Sequence, residues 1–413
     1  MKVAIIGAGL TGLSAGFELK DFAEVTIFEK DCVGGLVSSY CTSKYCIEKF
    51  YHHCFKGDKY LLNLIKKLKL KNKLKWKTVR VGYAINWKIY PLNTINEILE
   101  FPHLNLSDKI RLALFTLNAK RRNFKKFDNI RAIDGIRYEL GHNLLNNFFL
   151  PLLRAKFCDE FKDVSYSWLL ARVATRSKRT LKGEILGYIK GGFWQLIERL
   201  KDNLEIFNKN VRRIEITNKK FIIDGKKFDA IIYTGNLLNL SKIFKAPLNL
   251  PKIRYQSSIS VLISSNSSLT EDMYWINVKD AIFGAVIEHT NFMPIEDYGE
   301  HLMYLAAYSL PNDKLYNLPD HQIKKLFLKD LKKLGFDGKI KWIKVFKAKY
   351  SGPIFETGYL SKVTPYRTKI KGFYIAGMTS KPNYPERSMN GSVKAGIDVA
   401  NLLKTDYKLF ALN

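Results

Sequence analysis

Apolar positions in the first thirty residues follow three patterns in immediate succession. Val3-Ala4-Ile5-Ile6 is an unbroken apolar run, short enough for a strand buried on both faces. Leu13, Ala15, Gly16, Phe17 and Leu19 then recur at helical spacing, and Val25-Thr26-Ile27-Phe28 returns to a strand-like run that Glu29 closes. Strand, helix and strand in this order predict a parallel βαβ unit. The turn between the first strand and the helix is Gly7-Ala8-Gly9-Leu10-Thr11-Gly12. Gly7 permits a tight turn, Gly9 lets the backbone approach a pyrophosphate, and Gly12 lets helix and strand pack closely; the helix N-terminus then faces the phosphate charge. Glu29 stands where an acid accepts hydrogen bonds from a ribose diol. Together these features predict dinucleotide binding.

Further patterned segments lie far downstream. Phe221–Gly225 with Lys226-Lys227 has a hairpin pattern, and Phe228–Tyr233 predicts a buried strand ending in Thr234-Gly235. Val211-Arg212-Arg213-Ile214 is strand-like. Lys371–Ala376 predicts a strand ending at Gly377, and Val393, Ile397 and Ala400 predict a helix beginning near Asn390-Gly391-Ser392. Between these blocks, residues 56–184 alternate apolar and basic residues with a helical period, as in Tyr60–Leu68. Residues 251–344 open strand-like at Ser258–Ser264 and close with a helical Lys/Leu stretch from His321 to Leu334.

Val33-Gly34-Gly35-Leu36-Val37-Ser38-Ser39 resembles the GGRxxS/T segment of flavin amine oxidases, protoporphyrinogen oxidases and phytoene desaturases, with Leu36 in place of the usual Arg. Gly191-Gly192-Phe193-Trp194-Gln195-Leu196, the strand ending at Thr234-Gly235, and the Lys371–Gly377 strand followed by Asn390–Ala400 are similar to further segments of the same superfamily, in the same order. The resemblance implies non-covalent FAD as cofactor. Backbone at Gly34 and Gly35 would meet the pyrophosphate, and Val211, Thr234 and Gly235 would lie on the adenine side. Gly377 would lie by the ribityl phosphate, with Asn390, Gly391 and Ser392 at a helix start facing the flavin. Met378 replaces the acid usual after that Ala-Gly. The implied fold is α/β: a discontinuous Rossmann-like domain of the glutathione-reductase type, unrelated to the p-cresol methylhydroxylase type, with a mixed-sheet substrate domain. The expected division is 1–55, 185–250 and 345–413 for the FAD lobe, 56–184 for a basic helical insertion and 251–344 for the substrate domain. Only one GxGxxG occurs, so a separate pyridine-nucleotide domain is not expected, and electrons would come directly from the substrate.

Charge changes this picture. The 413 residues carry 68 Lys and Arg against 38 Asp and Glu, a net charge of +30. Residues 56–184 hold 28 basic against 11 acidic residues, over half of the excess. Such a bias seeks an anionic partner. An anionic membrane surface is the candidate, with a small-molecule or lipid-like substrate; no nucleic-acid motif is present. No apolar run approaches the ~20 residues of a spanning helix, so the expected setting is cytoplasmic, with peripheral attachment to the inner membrane face. The five cysteines, 32, 41, 46, 54 and 158, are odd in number and argue against a disulfide scaffold. Their spacing does not suit a metal site. Candidate catalytic residues are His53, with His52 beside it, as a proton shuttle, and Tyr384 and Arg387 before the flavin-facing helix. The expected activity is an FAD-dependent oxidation of an apolar or membrane-borne substrate. Glu48–Tyr60 is similar to a stretch of UDP-galactopyranose mutase, which makes a nucleotide-sugar isomerase the alternative and a non-catalytic basic flavoprotein the third reading.

Overall fold

The computed structural model describes residues 1–176, 179–180 and 183–411. Its first sheet has five parallel strands in the order Phe373–Ile375, Ala230–Tyr233, Lys2–Ile6, Glu24–Glu29 and Glu205–Asn208. The central strands are apolar throughout because both faces are covered: Val3, Ile5, Ile27 and Ile232 have no exposed surface. One face is covered by the Gly-loop helix Leu10–Leu19. That helix packs along the C-terminal helix Met389–Ala411. The approach is close because Gly396 lacks a side chain: a Cβ there would lie 2.4 Å from the Thr11 carbonyl oxygen. Segments separated by hundreds of residues therefore build one lobe.

The second sheet is mixed and larger. Its path runs Ile340–Pro353, Tyr255–Ser265, His301–Ser309, Ala285–Glu288, Met273–Val278, Leu74–Ile85, Gly183–Ile189 and Arg179–Thr180, with Lys88–Pro91 paired to Leu74–Ile85. Neighbours are antiparallel except Met273–Val278 and Leu74–Ile85, which run parallel. This sheet cuts across the boundaries drawn from the sequence. Leu74–Ile85 lies inside the expected helical insertion, Gly183–Ile189 spans its end, and Ile340–Pro353 crosses position 345. The helix Lys59–Lys67, also inside 56–184, packs on the C-terminal helix of the first lobe. A strand buried in a sheet reads as apolar whichever lobe owns it, so composition could not place these edges. The hairpin pattern at Phe221–Lys227 forms a small three-stranded antiparallel sheet, Glu215–Thr217, Lys220–Ile223 and Lys226–Phe228. Val211 lies in a non-strand connection rather than in a strand.

Helices Ile95–Glu100, Leu106–Asn118, Ala132–Leu144, Leu150–Phe157 and Tyr166–Arg176 form a layer that meets the second sheet where Leu150–Phe157 packs on His301–Ser309 and Ile95–Glu100 on Lys88–Pro91. Thr94 and Asn105 cap the first two in reciprocal capping boxes with Glu97 and Asp108. The two lobes are tied through Glu48, which is fully buried. Tyr188 donates to its carboxylate at 2.6 Å, the Phe193 N–H donates at 2.5 Å, and Tyr304 donates to its backbone oxygen at 2.7 Å. Burial pushes the Glu48 carboxyl above its usual range against these hydrogen bonds. The cysteines do supply one disulfide: Cys41–Cys46 closes the hairpin of Ser39–Cys41 and Cys46–Glu48. Among the described residues, no group of three or more His, Cys, Asp or Glu could hold a metal, and no helix is long and apolar enough to cross a membrane.

Candidate active site

The two lobes enclose a cavity of about 460 Å³, within the range of small-molecule and cofactor sites. Its floor is the Gly loop. Gly7 turns at φ 108°, and its N–H donates to the Phe28 carbonyl at 2.8 Å. A Cβ on Gly12 would lie 2.0 Å from the Gly7 oxygen, so only glycine lets the helix start against the turn. The second glycine pair is held to the first: the Gly34 N–H donates to the Ala8 carbonyl at 2.8 Å, and Gly34 and Gly35 have φ of 98° and 56°. Glu29 lines the cavity and accepts N–H bonds from Ala8 at 2.7 Å and Asp31 at 2.9 Å. Two carboxylate oxygens have further acceptor capacity for a diol.

Val211, Thr234, Gly235, Gly377 and Ser392 line the same cavity as Gly7 and Gly9. Thr234 donates to the Ile6 and Gly7 oxygens, fixing the strand end to the Gly loop. Thr11 donates to the Ser392 carbonyl at 3.1 Å, so the two glycine-bearing helix starts converge. Three of the expected residues serve from behind. Gly12 packs the helix. Gly391 sits where a Cβ would lie 2.3 Å from Asn383 Oδ1, and Asn390 Oδ1 accepts from the N–H groups of Tyr60 and Leu61, capping the helix Lys59–Lys67.

A dinucleotide suits these residues. A Cβ on Gly9 would meet no atom within 4 Å, so backbone faces open space at the floor of the cavity. The acceptor Glu29 and the two glycine turns surround that space.

The other end of the cavity is cationic. Lys156 from the helix Leu150–Phe157, Arg172 and Arg176 from the helix Tyr166–Arg176, and Arg387 all line it. Arg172 is paired with Glu386 at 2.7 Å, and Arg176 lies 3.5 Å from Glu184 and 4.9 Å from the Trp275 ring. Among the described residues, no carboxylate is ion-paired with Lys156 or Arg387. The Lys156 ammonium rests instead over the Tyr308 ring, 4.3 Å from its centroid. Gly352 makes room for Arg387: a Cβ there would lie 2.5 Å from the guanidinium Nε.

The segment Phe50–His53 passes along this wall. His53 lines the cavity, hydrogen-bonded through Nδ1 to the Tyr274 hydroxyl at 3.0 Å. Burial, then Arg176 and Arg172, hold its imidazole well below the ordinary range. His52 donates from Nδ1 to the Phe50 carbonyl at 2.6 Å, and burial lowers it to about 4. Both rings are therefore neutral near pH 7, which disfavours His53 as a base taking up charge. Tyr384 is absent from the cavity lining. It donates to Asp128 at 2.7 Å and is bonded to Ser167 at 3.1 Å, behind the wall.

Sequence reasoning did not single out Lys156, Arg172, Arg176, Tyr51 or Tyr308. One signal was present: Trp168, Arg172 and Arg176 recur every fourth residue on one helix, so the two cations continue the stripe of a buried tryptophan.

Fold and cavity together define a two-lobed, dinucleotide-binding flavoenzyme. The chain belongs to the flavin containing amine oxidoreductase family, whose model matches residues 10–404. Its cofactor is FAD and its class FAD-dependent oxidoreductase. None of the curated proteins matches the sequence significantly. Among solved structures, it is similar to a protein described as a protoporphyrinogen oxidase from Exiguobacterium sp. 255-15, with 18% identity, TM-score 0.76 and 98% and 99% of the two chains covered. A reduced UDP-galactopyranose mutase has 15% identity, TM-score 0.75 and coverage of 98% and 95%. A putrescine oxidase bound to putrescine has 15% identity, TM-score 0.71 and coverage of 98% and 99%. Identities this low speak for the fold alone.

Proposed function

We propose that this flavoenzyme oxidises a substrate bearing a carboxylate or phosphate, held at the cationic end of the cavity. The observation that carries this reading is the convergence of Lys156, Arg172, Arg176 and Arg387 on one wall of the cavity, where Glu386 pairs with Arg172 and Glu184 lies by Arg176. Gathering four cations against fewer anions is costly, and an anionic ligand lowers that cost. A wholly apolar chain would leave it in place. The substrate expected from sequence, an apolar or membrane-borne compound, is thereby narrowed to one with an anionic end. FAD, when bound, supplies two-electron oxidation. Arg387 binds and orients the anion, while Trp275 and Phe157, in the same lining, exclude water.

A second reading has its own support. The segment similar to the mutase, Glu48–Tyr60, supplies Phe50, Tyr51, His52, His53, Phe55 and Asp58 to the cavity, and paired arginines suit a sugar diphosphate. Anaerobic mixing separates the two. An oxidoreductase is expected to bleach its flavin with an anionic substrate. A mutase would act only after dithionite reduction and end with the flavin still reduced. Failure of every carboxylate and phosphate candidate to bleach the flavin would overturn the first reading.

Attachment to an anionic membrane has support from the helical layer. Leu106, Ile110, Leu114 and Leu117 form a stripe on the helix Leu106–Asn118, and Ile95 and Leu99 repeat the pattern on the helix before it. All six are between 48% and 73% exposed. Exposed Arg111, Lys120, Arg121, Lys125 and Lys126 lie along or just beyond that stripe. Leucines flanked by cations suit the interface of an anionic bilayer. The protein is expected to sediment with phosphatidylglycerol vesicles at low salt and much less with phosphatidylcholine. Leu114→Asp with Leu117→Asp should weaken that binding by roughly tenfold or more, since burial of each leucine is worth about 1.5–3 kcal/mol. Binding indifferent to lipid charge, or a concentration-dependent dimer lost in the same variant, would sink the membrane assignment.

A further inference from the structure

The cavity wall holds two phenols in contact. Tyr308, near the end of strand His301–Ser309, and Tyr51, from the segment after Cys46–Glu48, have their Oη atoms 3.0 Å apart. Cations face Tyr308 from three other elements: Lys156 over its ring, Arg172 from the helix Tyr166–Arg176, and Arg387 from the loop before the C-terminal helix. Glu386, an acid of the same lining, is engaged with Arg172 at 2.7 Å. His52 and His53, on the Tyr51 side, are neutral.

We infer that Tyr308 is the proton acceptor of the reaction, a phenolate steadied by Lys156 and by the hydroxyl of Tyr51, which takes a proton from the anionic substrate bound beside it. The inference rests on the anionic-substrate reading for what the proton comes from, but not for the phenolate itself. In the step, the substrate's bond to an acidic hydrogen breaks, its electron pair stays on the substrate, and an O–H bond forms at Tyr308 Oη. The proton leaves to solvent through the cavity mouth before the next cycle.

The division of labour between the two phenols follows from their surroundings. Burial alone would push both up. For Tyr51, the neighbouring Tyr308 raises it further, outweighing Arg172 and Arg176, so it remains a donor. For Tyr308, the Lys156 ammonium, the Tyr51 hydrogen bond, Arg387 and Arg172 outweigh burial and bring it down to about 7. A base poised near the working pH is the efficient one. The imidazoles nearby are too weakly basic, and the carboxylates of Glu386 and Glu184 are already ion-paired, so Tyr308 is the poised group of the wall.

The test is a pH titration of the FAD-loaded protein followed by phenolate difference absorption. One phenol is expected to ionise near pH 7, against the ordinary value of about 10. The signal should vanish in Tyr308→Phe and move to higher pH in Lys156→Met. With a substrate that bleaches the flavin, kcat/KM should rise with pH through the same midpoint, and Tyr308→Phe should lose about 10²–10⁴-fold and the rising limb together. No substrate is needed for the titration, so the two claims fail separately. Absence of an ionisation well below 10 overturns the phenolate while leaving the substrate reading intact. An unchanged rate and pH profile in Tyr308→Phe overturns its role as acceptor.

Discussion

Replacing Gly9 with valine yields a protein that folds normally without cofactor and purifies colourless. The expectation follows from two facts about one position. Gly9 has φ −73° and ψ 179°, extended backbone open to any residue, and a Cβ there meets nothing within 4 Å. The added Cβ therefore clashes with nothing in the FAD-free chain, which should keep its fold. The empty volume, however, is the floor of the cavity between the two glycine turns, where a pyrophosphate must come against backbone N–H groups. A branched side chain in that space should weaken FAD binding at least ~100-fold, about 2.7 kcal/mol. Quenching of flavin fluorescence on titration measures it. Gly12→Ala should behave in the opposite way. Its Cβ would fall 2.0 Å from the Gly7 oxygen, so the FAD-free protein itself should lose about 1–3 kcal/mol by thermal or urea unfolding. A yellow Gly9→Val protein with wild-type affinity would remove the Gly loop from the site.

The contrast between these glycines marks how much was legible in the chain. The βαβ unit could be read because each of its demands is local: an apolar run, a turn that tolerates no side chain, a helical stripe and a closing acid. The C-terminal partner was legible for the same reason, and Thr11 bonded to Ser392 brings the two together. Backbone geometry alone did not decide what each residue faces. Asn390 was placed near the flavin by its position at a helix start, yet its side chain caps a different helix, Lys59–Lys67. Tyr384 and Arg387 lie three residues apart; one turns behind the wall to Asp128 and the other into the cavity. Lys156, Arg172 and Tyr308 come from three elements that nothing in the sequence links. Their meeting is a property of the second sheet and its helical cover. Long-range pairing of that kind leaves no periodic trace, whereas a nucleotide-binding turn does.

Replacing Arg387 with methionine should abolish tight anion binding while leaving the flavin in place. Of the four cations, Arg172 is answered by Glu386, Arg176 lies near Glu184 and Lys156 rests against the Tyr308 phenol, so Arg387 carries most of the charge that an incoming anion meets. Methionine keeps the stem and its packing and removes only the fork of donors. Loss of one charged partner from a desolvated pair costs about 2–5 kcal/mol. The affinity for inorganic pyrophosphate, followed by the perturbation of the flavin spectrum, should therefore fall roughly 30-fold or more. For a true substrate the loss should appear mainly in KM, since a ground-state contact is removed. Gly352→Ala offers a control that keeps every charge. A Cβ at that position would press on the guanidinium from 2.5 Å and displace it. Its effect should be of the same sign and smaller, with full FAD content. Wild-type pyrophosphate affinity in both variants would mean that the cations serve the fold, and the anionic-substrate reading would lose its support.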